Sequence, residues 1–418
     1  TGLTLRSLLG ASGFTSLSVA HTVNSYRSDA WDYDLEGQMI ERNRSRESHT
    51  AARLDLTLRL FRGGWLKAGA AARRLDAALD IHLPLGTENS FSREVERINE
   101  VAIDQQIRDW HYGGHLQLSQ DLGTLLTLTG GARYDRFPLN QKTALSPRAG
   151  LSLHLLRNLD LSASWGRYAQ NPPLVFLQAH PANAALLPMR AEHYVAGATF
   201  YPGKDAKLSV ELFRRDYRDY PVSTQFPFMT MADAGEQYDV FGLLLPLASQ
   251  GSGRSRGVEV FFQKKLTGRV FGQLSYAYSR TEQRALDGVW RPGGFDLPHV
   301  LAVLGGMKLT RAIELSAKFS GTSGRPTTPL DPETYLQNRA IYDASRANAE
   351  RGAVYHRLDL RADHRTSFRW GTLITYFEID NVYNRKNVRY SYWNPKKQEL
   401  ETVPQVGFMF IGGLNVEF

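Results

Sequence analysis

The C-terminal segment of the chain alternates with a strict period of two. Six large apolar side chains fall on one face of residues 405–418, namely Val406, Phe408, Phe410, Leu414, Val416 and Phe418. The other face is mixed and includes Gln405, Asn415 and Glu417. Successive side chains of a β-strand point to opposite faces, so this pattern predicts a strand with one apolar face that ends in an aromatic residue.

The same alternation recurs along the chain, in residues 54–60, 126–135, 258–263, 270–279, 313–320 and 358–363. Charged side chains such as Asp55, Arg133 and Asp363 stand mid-strand, opposite the apolar face. In a soluble sandwich this polar face would meet bulk water, whereas in a membrane barrel it would line a wet lumen. The alternation permits both, and the chain has no run of about 18 apolar residues that would predict a membrane-spanning helix.

The lengths of the connections distinguish a membrane barrel from a soluble sandwich. Short links follow some strands, at 62–64, 122–123, 157–158, 267–268 and 310–311. Long links follow the others, at 28–46, 80–105, 169–190, 219–253, 281–295, 323–353 and 382–404. Links longer than about 12–15 residues are uncommon in compact soluble domains, and regular alternation of short turns with long loops is typical of outer-membrane barrels. The chain is therefore predicted to be an all-β protein, an antiparallel transmembrane β-barrel meander in the outer membrane of a Gram-negative bacterium.

Counting the alternating segments predicts about seventeen strands. They are 1–8, 13–27, 47–61, 65–79, 106–121, 124–137, 144–156, 159–168, 191–201, 206–218, 254–267, 269–280, 296–309, 312–322, 354–366, 370–381 and 405–418. Bacterial single-chain barrels have an even number of strands. The odd count therefore indicates that residues 1–418 are one barrel domain that is incomplete at its N-terminus.

Composition and motifs argue against several other functions. The net charge is +8, but Lys and Arg are spread along the chain, so no nucleic-acid partner is predicted. The sequence has no cysteine and no HExxH, GxSxG or Walker A motif, so we predict no enzymatic activity, no catalytic residue, no cofactor and no metal site. His111 and His115 are four residues apart but lie in a strand pattern, which favours two lumenal histidines over a metal site.

Several short segments occur in the order found in one family. They are Leu145–Leu151, which contains Ser-Pro-Arg, Ser164–Pro173, Ala191–Gly197, Arg256–Glu259 and Phe377–Arg385. Together with Phe418, this ordered set resembles TonB-dependent outer-membrane receptors. The last match is inexact, because Ile379, Val382 and Tyr383 stand where the family usually has Val, Leu and Phe.

The resemblance implies a fold and a function. Members of the family have an N-terminal plug domain and a barrel of 22 strands, so the chain resembles about 17 of these strands without the plug. It implies an active-transport receptor for a scarce nutrient, with a ferric siderophore as the default cargo. The TonB system would be engaged only through the N-terminal part that the chain lacks.

The long loops contain the residues best suited to binding a cargo. The loops 323–353 and 382–404 combine arginines with large flat rings, which suit a planar or anionic cargo such as a metal chelate. The predicted ligand-binding residues are Arg325, Tyr342, Arg389, Tyr390 and Trp393. The basic loops also suit contact with outer-membrane lipid and lipopolysaccharide.

The aromatic terminal strand is predicted to be an insertion signal for the barrel-assembly machinery. Its residues are Phe408, Phe410, Leu414, Val416 and Phe418. Two alternatives of different class stay open at this point: a passive porin-like channel without a plug, and a soluble all-β binding protein. An upstream plug and coupling segment would favour the receptor, and solubility without detergent would favour the soluble protein.

Overall fold

A computed structural model describes residues 1–32, 38–83, 101–233, 246–334, 340–394 and 396–418. The first half contains strands β1 (Gly2–Leu8), β2 (Gly13–Asp32), β3 (Gln38–Phe61), β4 (Gly64–Leu83), β5 (Val101–Leu122), β6 (Leu126–Phe137), β7 (Lys142–Leu156), β8 (Leu159–Gln170), β9 (Met189–Gly203) and β10 (Ala206–Ser223). The second half contains β11 (Leu247–Thr267), β12 (Val270–Arg284), β13 (Trp290–Pro292), β14 (His299–Lys308), β15 (Ile313–Thr322), β16 (Pro326–Thr327), β17 (Glu350–Arg351), β18 (Tyr355–Phe368), β19 (Gly371–Asp380), β20 (Val388–Asn394), β21 (Glu399–Pro404) and β22 (Met409–Glu417).

Within the described residues, seventeen long strands form one antiparallel meander in which each strand pairs with its neighbours in sequence. The order runs from β1 to β12 and continues through β14, β15, β18, β19 and β22, while the short β13 pairs with the end of β12. Two further hairpins, β16–β17 and β20–β21, stand apart from the main sheet. The predicted fold and the seventeen strands are thus confirmed.

Several strands are longer than their sequence pattern predicted. The links predicted at 28–46, 80–105 and 219–253 are wrong in extent, because β2 and β3 remain paired up to Asp32 and Gln38, and β4 and β5 up to Leu83 and Val101. The ends of β2 and β3 carry mixed side chains without an apolar period, whereas Leu79, Ile81 and Ile103 at the ends of β4 and β5 keep the period of two but face the inner side of the sheet. Antiparallel pairing satisfies the backbone groups whatever the side chains are, so the ladder continues where the hydrophobic signal stops.

The register places five leucines of the alternating segments on one side of the sheet. Across the strands, Leu54 is paired with Leu17 on β2 and with Ala70 on β4, and this row continues to Gly114 and Tyr134. Leu126, Leu274, Leu315 and Leu414 share that face. Leu54 is 52% exposed and Leu414 is 70% exposed, as expected of side chains that meet lipid.

The two ends of the sheet differ in their connections. One end carries only short turns, and Gly63, Gly123 and Gly268 adopt φ values of 73°, 67° and 71° there, a region that glycine enters without strain. Two of these short turns are tied together, because the Asp205 carboxylate accepts hydrogen bonds from Lys264 Nζ and Thr267 Oγ1. These two donors hold the pKa of Asp205 at about 2. The other end carries the long loops.

The long-loop end contains the largest apolar cluster of the described residues. Leu79, Ile81 and Ile103 on the inner face of β4 and β5 pack with Phe176 of a short helix, α1 (Leu174–Ala179). The buried Asn183 fixes this loop, since its Nδ2 donates to Phe176 O (2.7 Å) and its Oδ1 accepts from Leu247 N (2.7 Å). In the described ranges, no helix has the length and apolarity needed to cross a bilayer.

The C-terminal strand pairs with β19 from Asp380 and Met409 to Thr372 and Glu417. The predicted strand 405–418 begins too early, because Phe408 lies before β22 and its backbone N–H donates to Asn384 Oδ1 (2.9 Å). Phe418 is 99% exposed and its ring lies 6.0 Å from that of Trp370.

The turn that follows β19 explains the motif at 377–385. Asn381 and Asn384 have φ values of 53° and 52°, which asparagine tolerates better than most side chains. Asn381 is fully buried; its Nδ2 donates to Arg385 O (2.9 Å) and its Oδ1 accepts from Arg385 N (3.0 Å). The motif therefore shapes this turn and, through Asn384, attaches it to the start of the terminal strand.

Candidate functional site

A cavity of about 400 Å³ lies at the long-loop end, between the inner faces of β2–β6 and the loop that carries α1. Polar side chains of five consecutive strands, β2 to β6, line it, and Pro172 and Pro173 of the motif at 164–173 close it from above. The polar lining includes Asn24 on β2, Glu47 and His49 on β3, Arg73 on β4, Asp109 and His111 on β5, Arg133 and Asp135 on β6, Gln170 at the end of β8, and Asn171.

Asp135 is the centre of a hydrogen-bonded group in this cavity. The side chain is buried, and its carboxylate accepts from Arg133 Nε (2.7 Å) and Nη2 (2.6 Å) and lies 3.0 Å from His111 Nε2. The His111 ring stacks on Phe137 at 4.8 Å. A Cβ at Gly113 would lie 2.4 Å from Arg133 Nη2, so the glycine leaves room for the guanidinium against the wall. These contacts hold Arg133, His111 and Asp135 in place, so the group presents both a positive and a negative charge to the cavity.

Arg73 differs from Arg133 in lacking a counter-ion. Its side chain is exposed to the lumen, and no carboxylate oxygen of a described residue lies within 4.0 Å of it. A guanidinium without a partner in a cavity of this size can take a carboxylate or another planar oxygen pair by two parallel hydrogen bonds. Among the described residues, no three His, Asp or Glu side chains are grouped as a metal site.

The five predicted ligand-binding residues lie on two separate parts of the loop surface. The guanidinium of Arg325 lies 5.1 Å from the centre of the Phe295 ring, and Tyr342 pairs with Leu330 through an isolated bridge. Arg389, Tyr390 and Trp393 belong to the β20–β21 hairpin. The guanidinium of Arg389 lies 5.9 Å from the centre of the Tyr390 ring. The described contacts do not join Arg325 or Tyr342 to the hairpin, and the role of all five residues in binding stays a prediction.

The bases of these two loops are nevertheless tied together. Asn387 Oδ1 accepts from His356 N (3.2 Å), and its Nδ2 donates to His356 O (2.9 Å). Arg385 Nη2 donates to Val354 O (3.0 Å), and the Tyr383 hydroxyl lies 2.7 Å from His356 Nδ1. The loops therefore share a fixed base while their outer parts remain exposed.

A carboxylate organises the exposed hairpin. Glu401 accepts hydrogen bonds from Lys397 Nζ (2.5 Å) and from the Tyr392 hydroxyl. These donors, the lysine first, lower the pKa of Glu401 to about 2. A two-stranded hairpin is marginally stable alone in water, so contacts of this kind decide whether the aromatic side chains of β20 are held in place.

The pKa of Glu401 predicts how the order of the hairpin depends on pH. Because the folded pKa lies below the ordinary value of 4.5, the contribution of Glu401 is fully present above about pH 4.5 and is lost as the pH falls toward 2. We expect amide hydrogen exchange at Ser391 and Thr402, corrected for its intrinsic pH dependence, to show constant protection from pH 8 to about 5. Glu401→Gln should lower the protection throughout this range, whereas Glu399→Gln is the matched control. Equal protection in Glu401→Gln and the parent would contradict this role.

Sequence reasoning missed most of the cavity. His111 and His115 both lie on the inner face, as predicted for lumenal histidines. Glu47, His49 and Arg73 were not singled out, because they meet the other lining residues only through the register, whereas Arg133 and Asp135 were expected to face the lumen. The one available signal was the Arg133-x-Asp135 spacing, since residues two apart on a strand share a face.

The antiparallel meander, with its apolar outer face and polar inner face, defines an outer-membrane β-barrel. Residues 2–382 match the family model described as TonB dependent receptor-like, beta-barrel. The chain belongs to this family, and it is located in the outer membrane of a Gram-negative bacterium. A comparison with curated protein sequences gives no match.

Solved structures with the same fold include three transport proteins. The ferric-catecholate import receptor Fiu from Escherichia coli K12 has a TM-score of 0.70 at 11% identity, with 100% of this chain and 63% of that chain covered. The copper transporter OprC has a TM-score of 0.70 at 14% identity, with 100% and 64% covered. The ferripyoverdine receptor of Pseudomonas aeruginosa has a TM-score of 0.67 at 13% identity, with 98% and 55% covered. The chain thus spans less than two thirds of each of these proteins.

Proposed function

We propose that the chain is the barrel of an active-transport receptor that takes up a ferric siderophore as a scarce nutrient, driven by the TonB system. The observation that carries the proposal is the cavity beneath the α1 loop. Its volume of about 400 Å³ falls in the range of roughly 300–1,000 Å³ typical of small-molecule sites. Two of the similar structures are named for ferric chelates, which supports iron as the metal of the cargo, while a third is named for copper.

The chemistry of the cavity suits a chelate more than a bare cation. Arg73 offers an unpaired guanidinium to the anionic oxygens of a siderophore, and the His111 ring beside Asp135 offers a flat contact for its organic frame. The exposed rings of Tyr390 and Tyr392 on the hairpin would meet the cargo first. In this proposal the loops capture the chelate and the cavity holds it.

The proposal is tested by equilibrium binding of ferric siderophores to the protein purified from outer membranes. Arg73→Gln is expected to weaken binding about tenfold, because one charge-assisted hydrogen-bonding group is lost. Lys67→Gln is the matched control, since Lys67 lies on the same face of the same strand but six residues nearer the short-turn end. Among Ala variants of Arg325, Tyr342, Arg389, Tyr390 and Trp393, one or two should dominate.

Several outcomes would contradict this proposal. If the protein bound the iron-loaded and the iron-free siderophore with equal affinity, the ferric chelate would not be the cargo that the site recognises. Binding of Cu²⁺ in preference to every ferric chelate would redirect the proposal to copper. Uptake in cells that persists unchanged without the TonB system would favour a passive channel.

A further inference from the structure

The short turns at one end of the meander carry exposed cations. Within the described residues, eight such turns join consecutive long strands, and six of them hold one Lys or Arg. The six residues, all exposed, are Arg62, Arg157, Lys204, Arg269, Arg311 and Arg369. The last five lie on five successive turns, from the β7–β8 turn to the β18–β19 turn, and are called the turn row below.

The cations of the turn row are not neutralised by the protein. Among the described residues, no carboxylate oxygen lies within 4.0 Å of any of them. The one acidic residue in the eight turns is Asp205, and its carboxylate already accepts hydrogen bonds from Lys264 and Thr267. The turn row therefore presents five positive charges to the solvent at this end of the sheet.

Backbone hydrogen bonds join each turn of the row to the next one. The four bonds, each 2.8 or 2.9 Å long, run from Tyr201 N to Asn158 O, from Lys265 N to Asp205 O, from Lys308 N to Arg269 O, and from Arg365 N to Ala312 O. Successive turns are two strands apart, which is roughly 10 Å across the sheet. The backbone positions of the cations are thus held at a regular interval, so little order has to be created when a partner binds.

The outer face next to the turn row is apolar. Val270, Met307, Ile313 and Phe368 lie on the lipid-facing side near the strand ends and are 38–48% exposed. Lys264 lies on the same side but is bonded to Asp205. The unneutralised cations thus stand beyond the apolar band, on the turns that outer-membrane barrels direct to the periplasm. This placement favours a partner in the periplasm over a lipid in the bilayer.

We propose that the turn row binds peptidoglycan, through the carboxylates on its peptide stems. Peptidoglycan is a periplasmic polymer that presents such carboxylates again and again, and guanidinium groups donate paired hydrogen bonds to carboxylates. One exposed ion pair contributes little, but a row of fixed cations that meets many linked carboxylates gains from simultaneous contacts. The contact attaches the barrel to the cell wall, and it is separate from the lumenal cavity and from any cargo.

The test is co-sedimentation of the protein, purified from outer membranes in an uncharged detergent, with isolated peptidoglycan sacculi. The two probes are native sacculi and sacculi whose carboxylates have been converted to amides. We expect native sacculi to bind the protein at least about tenfold more tightly, because several ion pairs are lost together on amidation. Binding should also be lost when the ionic strength rises from about 0.1 M to about 1 M, since the screening length falls from about 10 Å to about 3 Å.

Variants separate the turn row from general basicity. Arg157→Gln combined with Arg269→Gln and Arg311→Gln should weaken binding to native sacculi about tenfold, because three contacts of a few-fold each are removed. The affinity for siderophores should stay unchanged, and heat-modifiability reports that the variant is folded. The matched control removes three exposed cations at the long-loop end, with Arg218→Gln, Lys386→Gln and Lys396→Gln.

Three results would overturn the proposal. They are equal binding to amidated sacculi, equal weakening in the control, and release of the protein from native sacculi by phosphatidylglycerol vesicles at the same concentration of anionic groups. The last result would assign the turn row to lipid. The comparison of native with amidated sacculi uses the parent protein, so it decides the question even if the triple variant does not fold.

Discussion

Deletion of residues 410–418 is expected to abolish almost all insertion of the protein into the outer membrane. The deletion removes all but the first residue of β22, which pairs with β19 from Thr372 to Asp380. The backbone N–H and C=O groups that it leaves open on β19 would face hydrocarbon, where each unsatisfied group costs several kcal/mol. The measurement is the yield of heat-modifiable, folded protein in isolated outer membranes.

Single substitutions locate the contribution of the terminal aromatic ring. Phe418→Ala should lower the folded yield partially, since Phe418 is exposed beside Trp370 and is proposed to be read by the barrel-assembly machinery. Phe368→Ala is the matched control, because Phe368 is an exposed ring that also stacks on Trp370 but lies at the end of β18 and outside the terminal strand. A normal folded yield for the deletion would show that the terminal strand is dispensable.

Asp296→Ala is expected to release the loop between β15 and β18 from the segment that joins β13 to β14, which contains Asp296. Asp296 is 2% exposed, and its carboxylate accepts from the Arg351 guanidinium and from Thr281 N (2.7 Å). Arg351 Nη1 also donates to Asp296 O (2.6 Å) and to Gly324 O (3.2 Å). Asp296→Ala leaves the Thr281 N–H without its acceptor, and an unsatisfied buried donor costs about 1–3 kcal/mol, so local opening should become more frequent.

Amide hydrogen exchange at Thr281 and Gly352 measures this loss directly. Asp343→Ala in the same loop is the control, because Asp343 is bonded mainly to its neighbour Ser345 and should change protection by a few tenths of a kcal/mol at most. Asp296→Asn keeps the shape but not the charge and should fall between the two. Unchanged exchange at both amides in Asp296→Ala would mean that the loop is held by other contacts.

The strands and their faces could be predicted from local sequence. In Leu54 to Leu60, and again in Phe410 to Phe418, the period of two identifies both the strand and its lipid-facing side, because consecutive Cβ atoms alternate across a strand. The order of the meander could also be predicted. Because short links join consecutive strands, the two strands of each such pair lie side by side and antiparallel. The ends of β2, β3 and β11 could not be predicted in this way, since their polar ladders carry no periodic signal.

The sites depended on register between distant parts of the chain. Arg73, His111 and Asp135 belong to three strands and are brought together only when the ladders are aligned. The sequence by itself determined a two-sided antiparallel wall, because side-chain alternation is a property of each strand alone. Only the tertiary structure decided which polar side chains meet, because the cross-strand alignment and the fold of the loops arise from contacts far apart in sequence.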